Sequence, residues 1–329
     1  MAEYKTLKGF EIQVLESDPA NPIAGQVFYN STTQILKGVR GGVAADGTWA
    51  SGGNLNQART VISGLGTQTA ALTAGGFNAT VPGVVVSTEA YNGSAWTEVN
   101  NLNTARNTYN SGSGSQTAGL QVNGNAQGVE SWDGTSWSEI AETNTLRNFA
   151  ASAGLTNTAN MFFGGTTPAP ANVATNELWN GTSWTEVNDM NSARNELGGF
   201  GNPAAALAVG GSNAAGTADF ALTESWNGTS WTEVNDLNLA RQAIGAAGTQ
   251  TSGIAFAGMS PFKTETESWN GTSWSEVAEY STATKRLGSS GASNQSALGF
   301  GGTTAGANEV VTTEEWTVPS AVVLTFDVS

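Results

Sequence analysis

The feature that most constrains this chain is a phrase that repeats along it. Residues 224–241 read ESWNGTSWTEVNDLNLAR, and the second tryptophan of the phrase recurs at Trp49, Trp96, Trp137, Trp184, Trp231 and Trp274, steps of 41 to 47 residues. An aromatic residue precedes it by five positions at Tyr91, Trp132, Trp179, Trp226 and Trp269, with one more at Trp316, and an arginine follows it at Arg59, Arg106, Arg147, Arg194, Arg241 and Arg286. A fixed period of about 40–50 residues points to a solenoid or a propeller rather than a compact α/β domain.

Within each unit the local signals are those of strands. Asn-Gly or Asp-Gly between two aromatic-bearing runs, as in residues 226–231, predicts a type I′ hairpin whose two central residues both have φ > 0. Upstream, a small apolar run ends in a glycine pair at Gly75-Gly76, Gly164-Gly165, Gly210-Gly211 and Gly301-Gly302, with weaker forms at Asn123-Gly124 and Ala257-Gly258. A GTQT turn at 66–69 and 248–251 divides the segment before that pair. Each unit therefore reads as four strands, a to d, in an antiparallel meander.

Arginine, glycine pair, aromatic and tryptophan in that order resemble the kelch repeat of β-propellers, over roughly Gly47 to Thr317. WD-type repeats need Gly-His and Trp-Asp signatures in unit after unit; the chain has no histidine, and Trp-Asp occurs only at Trp132-Asp133. The Asp-box of sialidase propellers spaces its Asp five residues before its Trp, whereas Asp133 and Trp137 are four apart. The resemblance implies an all-β fold, and counting arginines makes it a six-bladed kelch-like β-propeller over residues 46–318. The last unit supplies strands a to c and stops, while residues 46–49 are a strand d with nothing before it. One blade is thus expected to be closed by both termini, which leaves no open edge.

Residues 1–45 lie outside the repeat and hold candidate strands at 10–15, 26–29 and 34–38, with a turn-rich linker at 17–22. Residues 319–329 hold another, at 321–328. These pieces are expected to pair into one small β-module that serves as a mount. Within it, GQVFYNSTTQILKG (25–38) resembles a short β-hairpin common in bacteriophage tail, fibre and other virion proteins.

Composition narrows the chemistry. A net charge of −15 argues against a nucleic-acid partner, which would want a basic face. With no cysteine and no histidine, the chain lacks thiol nucleophiles, thiolate metal sites and the usual general base. The copper-oxidase chemistry found among kelch-type propellers needs both residue types, and no carboxylate pair of glycosidase kind stands out. The expectation is a non-enzymatic protein without cofactor or metal. The beginning has no apolar h-region and no run of about 18 apolar residues occurs, so neither a secretory leader nor a membrane span is expected.

The periodic residues admit two readings. A glutamate recurs at Glu89, Glu130, Glu177, Glu224, Glu267 and Glu314. The arginines could ring a channel that binds an anion, or each could pair with its unit's glutamate inside the blade, Arg286 with Glu314 included. A residue repeated in every blade serves the blade, so the buried pair is expected. The aromatic pairs likewise read as a layer between adjacent blades rather than sugar platforms. The sequons at Asn92, Asn180, Asn227 and Asn270 read as turns, because Asp133 occupies the same position in another copy.

What varies is the b–c connection: 12, 5, 11, 12, 8 and 11 residues at 77–88, 125–129, 166–176, 212–223, 259–266 and 303–313. Variable loops on a regular scaffold are where binding usually resides, and Phe77, Phe220, Met259 and Phe262 are the candidate apolar anchors. The expected protein is a phage virion component assembled in the host cytoplasm, a tail-fibre or receptor-binding head that contacts a host-surface glycan or protein. It would join other virion proteins, or further copies of itself, through the N-terminal module. A capsid-decorating protein and a bacterial cytoplasmic kelch scaffold are the alternatives.

Overall fold

The computed structural model describes residues 12–18, 26–40, 47–81, 83–124, 128–259, 261–306, 309–319 and 322–325. Every regular element among them is a β-strand. Two compact units result: Met1–Gly47 with Val318–Ser329, and Thr48–Thr317.

In the smaller unit Gln13–Leu15 pairs in parallel with Val27–Asn30, which pairs antiparallel with Ile35–Arg40, which pairs antiparallel with Val322–Thr325. Strands from both ends of the chain share one sheet. The second and third strands start one residue later than expected; expected strand residues 10–11, 321 and 326–328, and linker residues 19–22, lie outside the described residues. Asn30 makes the turn, its side-chain oxygen accepting the amides of Thr32 and Thr33 at 3.1 and 3.0 Å.

The larger unit holds a series of antiparallel four-stranded sheets. Sheet 1 comprises Leu65–Thr67, Ala70–Ala74, Thr88–Tyr91 and Trp96–Val99; sheet 2 Gly112–Gly114, Gly119–Val122, Val129–Trp132 and Trp137–Ile140. Sheet 3 comprises Ala151–Thr156, Ala159–Phe163, Asn176–Trp179 and Trp184–Val187; sheet 4 Gly198–Asn202, Ala205–Val209, Thr223–Trp226 and Trp231–Glu233. Sheet 5 comprises Gly245–Thr249, Ser252–Phe256, Thr266–Trp269 and Trp274–Val277. Sheet 6 takes Gly288–Ser293, Ser296–Phe300 and Thr313–Thr317 from one end of this unit and Thr48–Ser51 from the other, with Trp316 opposite Trp49.

Strand b is covered on both faces, and in sheet 4 Leu207, Ala208 and Val209 are all fully buried. Strand d buries only its tryptophan in sheets 1 to 5, and in sheet 6 Trp49 is half-buried. Its exposed Glu98, Glu139, Glu186, Glu233 and Glu276 place charge on the outer strand of five sheets, which discourages edge-to-edge pairing. Aromatic contacts join neighbours: the Trp231 ring of sheet 4 lies 5.0 Å from that of Phe163 in sheet 3, centroid to centroid. Trp49 of sheet 6 lies 4.7 Å from Phe256 of sheet 5, and Trp96 of sheet 1 lies 4.8 Å from Phe300 of sheet 6. The strand-d indole N–H groups also reach back one sheet, Trp137 to Thr88, Trp274 to Thr223, Trp49 to Thr266 and Trp96 to Thr313. The last of these brings sheet 1 against sheet 6. A small open depression is lined by the first strands of all six sheets. Such repeated, blade-like sheets make this a β-propeller-like fold.

The c–d hairpins differ from the expected type I′ turn. Gly228 has φ 90°, but Asn227 is not in the left-handed region. Instead the Asn227 side-chain oxygen accepts the amides of Thr229 and Ser230, each at 2.9 Å, closing a four-residue loop. Asp133 does the same at 2.8 and 2.8 Å, which is why either residue serves.

Candidate functional site

Five arginines are locked inside their sheets. Arg59–Glu89, Arg106–Glu130, Arg147–Glu177, Arg194–Glu224 and Arg241–Glu267 pair at 2.7, 2.8, 2.9, 3.3 and 3.1 Å, with both partners buried in every case. The second carboxylate oxygen is held by an asparagine three residues before the arginine; Asn144 gives Glu177 its backbone N–H at 2.7 Å and its side-chain N–H at 2.8 Å. Burial lowers the arginine pKa values, to about 10 for Arg147 and Arg194, and the paired carboxylates offset part of that. All five stay charged at neutral pH. They form no anion-binding ring.

The sixth arginine is different, and the expected Arg286–Glu314 pair does not form. The turn glycine of strand a lies seven residues after the clamp arginine in sheets 1, 4 and 5 (59 to 66, 194 to 201, 241 to 248), and counting back seven from Gly291 reaches Thr284. Buried Thr284 therefore stands where the arginine would be. Glu314 accepts the Ser281 amide at 3.0 Å and forms no ion pair among the described residues. Arg286, two positions further on, pairs instead with Glu196 of sheet 4 at 2.5 Å.

That displaced position is where the sheets stop being alike. Its occupants are Val61, Phe149, Glu196, Ala243 and Arg286, all in the left-handed region at φ 55, 54, 49, 57 and 53°. A chain rich in glycine nonetheless keeps side chains at these strained positions, which is how strain marks functional places. Backbone N–H groups link them in series: Val61 to Arg286, Arg286 to Ala243, Ala243 to Glu196 and Glu196 to Phe149, at 2.9–3.0 Å. Sheet 2 departs, since eight residues rather than seven separate Arg106 from Gly114. The extra length projects Tyr109 and Asn110. The Tyr109 hydroxyl donates to the carbonyls of Glu196 and Ile244, both at 3.3 Å, and the Asn110 amide to those of Leu197 and Ile244 at 3.0 and 3.2 Å. Burial, then the Glu196 charge, pushes the Tyr109 hydroxyl well above its ordinary pKa. Arg286 lies 5.5 Å over the Phe149 ring, and one buried oxygen of Glu196 has no hydrogen-bond partner. Beside this cluster opens a small recess whose walls include Asn107, Tyr109, Ser111, Gly124, Arg147, Asn148 and Phe149.

None of these residues except the arginines was expected from the sequence. The usable signal was the count of seven, which singles out Thr284 and shows unit 2 to be one residue long. The four candidate anchors, by contrast, are all half-buried. Phe77 pairs with Val84 in a short hairpin, Met259 bridges Gln242, the Phe220 N–H bonds the Gly211 carbonyl, and Phe262 lies under the Lys285 ammonium at 4.8 Å. They stand on the connections of sheets 1, 4 and 5, while Val81, at 56 % exposure, is the outward apolar residue of the first. Connection residues 82, 125–127, 260 and 307–308 lie outside the described residues. Among the described residues no group of three His, Cys, Asp or Glu side chains could hold a metal ion.

No protein-family model matches the chain, and no curated protein matches it. Among solved structures it is similar to that of YjhT, with a TM-score of 0.66 at 12 % sequence identity, over 83 % of this chain and 99 % of that one. At this identity the likeness is one of fold, and it agrees with the sheets described above: the chain is an all-β protein of β-propeller-like fold.

Proposed function

We propose that Thr48–Thr317 is a six-bladed kelch-like propeller closed by both chain ends, and that it serves a phage particle as a non-enzymatic recognition head. The observation that carries the binding role is the contrast within one register. The clamp of arginine, glutamate and asparagine is the same in sheet after sheet, while two residues beyond it the side chains are Val61, Phe149, Glu196, Ala243 and Arg286. Uniform residues hold the scaffold; the residues that differ face a common centre beside an open recess, on the side of the variable b–c connections. The virion assignment is supported by the 25–38 hairpin, whose strands are Val27–Asn30 and Ile35–Arg40. Through that module the head would join other virion proteins.

Labelled protein incubated with a panel of bacterial cells tests the reading. Binding to particular strains is expected, weakened when residues 213–218 are replaced by a short glycine linker. Binding to no strain together with antibody labelling of the capsid shell would instead make it a decorating protein, and turnover in a glycosidase screen would overturn the non-enzymatic role.

A further inference from the structure

Each of the six sheets buries a clamp glutamate, and five of them pair it with an arginine. Glu314 of sheet 6, 5 % exposed, keeps the pose of the others. One of its oxygens accepts the amide of Ser281, three residues before Thr284, at 3.0 Å, as Glu177 accepts that of Asn144 at 2.7 Å. Its other oxygen therefore points to the place that the guanidinium takes in the other five sheets. A carboxylate withdrawn from water without a counter-charge is costly. The neighbouring cations do not supply one, since Arg286 is held by Glu196 at 2.5 Å and Lys285 lies 4.8 Å from the Phe262 ring.

The oxygens that receive a guanidinium are also kept. Arg147 donates to the carbonyls of Gly164, Thr175 and Phe162 at 3.0, 2.5 and 3.2 Å. Their counterparts in sheet 6 are Gly301, Thr312 and Gly299: the Gly301 N–H bonds Thr312 as that of Gly164 bonds Thr175, and Gly299 lies opposite Glu314 as Phe162 lies opposite Glu177. Around them two side chains have changed. Thr284 stands in the arginine's place, and its buried hydroxyl donates to the Thr282 carbonyl at 2.8 Å, which leaves its lone pairs free to accept. Tyr280, four residues earlier, stands where units 1, 2, 4 and 5 have Leu55, Leu102, Met190 and Leu237. Its hydroxyl is buried with no hydrogen-bond partner, and it lies 2.9 Å from where a Cβ on Gly299 would be, on the face of the sheet that carries Glu314. Burial, then the Glu314 charge, pushes that hydroxyl well above its ordinary pKa, so it stays a neutral oxygen. A cationic donor has been exchanged for two hydroxyls beside an unchanged carboxylate.

We propose that the clamp of sheet 6 binds one alkali-metal cation, sodium or potassium, where the other five sheets hold a guanidinium. Glu314 supplies the charge; the Gly301 and Thr312 carbonyls and the Thr284 and Tyr280 hydroxyls supply neutral oxygens. One carboxylate balances one positive charge, whereas calcium sites draw on several carboxylates, and no three acidic side chains gather among the described residues. The ion ties together the sheet in which Thr313–Thr317 meets Thr48–Ser51.

Melting temperatures of the full chain in sodium, potassium and tetramethylammonium chloride at equal ionic strength test this, because methyl groups keep the charge of tetramethylammonium away from the oxygens. Sodium or potassium at about a hundredfold excess over Kd should raise the melting temperature by about 5 °C over tetramethylammonium. Tyr280→Phe removes only the unpartnered hydroxyl and should raise the half-maximal ion concentration about tenfold, the loss of one ligand oxygen. Glu314→Gln should abolish the response, while Glu177→Gln in sheet 3 should melt lower yet keep it. Thr284→Arg combined with Tyr280→Leu rebuilds the guanidinium clamp and should melt alike in all three salts. In tetramethylammonium Glu314 keeps only the Ser281 amide, so there Glu314→Ala should cost least. Equal melting of the wild type in the three salts, as water alone in the clamp would give, overturns the proposal, as does a response that Glu314→Gln and Tyr280→Phe both retain unchanged.

Discussion

Sheets 3 and 6 contain the same buried glutamate, with and without its cation, and this sets up a paired perturbation. Glu177→Ala removes the carboxylate partner of Arg147, whose side chain is wholly buried, and the acceptor of both Asn144 donors at 2.7 and 2.8 Å. Breaking a buried pair by deleting one partner costs about 3–5 kcal/mol, because the remaining charge is stranded. Glu314→Ala removes the same atoms from sheet 6, but there the carboxylate holds one amide at 3.0 Å and no cation. The lost bond, about 1.5–3 kcal/mol, is offset by release of an unpaired buried charge. The cavity left behind is alike in both sheets and cancels in the comparison. A difference of about 3 kcal/mol is expected, which at about 2 °C per kcal/mol for a large domain is a separation near 6 °C. Differential scanning calorimetry reads it directly, and only the order of the two melting temperatures is needed should unfolding proceed through intermediates. Adding Arg147→Met to Glu177→Ala should recover part of the loss. Equal shifts for the two alanine variants, or a larger one for Glu314→Ala, would refute the register that places Thr284 at the sixth clamp.

Tyr91 is fully buried and its pKa is raised to about 12, by burial and by donation to Glu315 at 2.5 Å. Its contribution to stability is therefore complete below about pH 10, the unfolded value, and lost as pH rises from about 10 to about 12; Tyr91→Phe should flatten that part of a melting-temperature profile, leaving the share of Tyr109 and Tyr280, which shift the same way. Asn227→Asp should keep its hairpin, as Asp133 does, and change the melting temperature by no more than about 1 °C, consistent with the small effects typical of surface changes. Deleting residues 1–51 removes the outer strand of sheet 6 and the Trp49 ring from Phe256 and Tyr280; hydrogen exchange should accelerate in Thr313–Thr317 while strand b of sheet 3 stays protected.

The strand order within each unit, and the meeting of Trp49 with Trp316 across almost the whole chain, were legible because they follow from local pattern and a repeat count. Periodicity, turn residues and apolar runs act over a few residues, and six copies average out the ambiguity of any one. The hairpins were placed correctly but not their geometry, since the asparagine side chain satisfies the loop amides itself and removes the need for a second left-handed residue. Arg286 shows the opposite case. Along the chain it looks like its five predecessors, and only the position of Gly291 in strand a reveals that it has slipped two places out of the clamp. Its partnership with Glu196, ninety residues away, exists because the first strands of different sheets converge. The recess beside Phe149 depends still more on tertiary structure: one additional residue in unit 2 is unremarkable in sequence, yet it turns Tyr109 and Asn110 toward the carbonyls of Glu196, Leu197 and Ile244. Short-range patterning determined the sheets of this protein; which residues face one another at their centre was decided by packing, because those contacts join segments that no local signal connects.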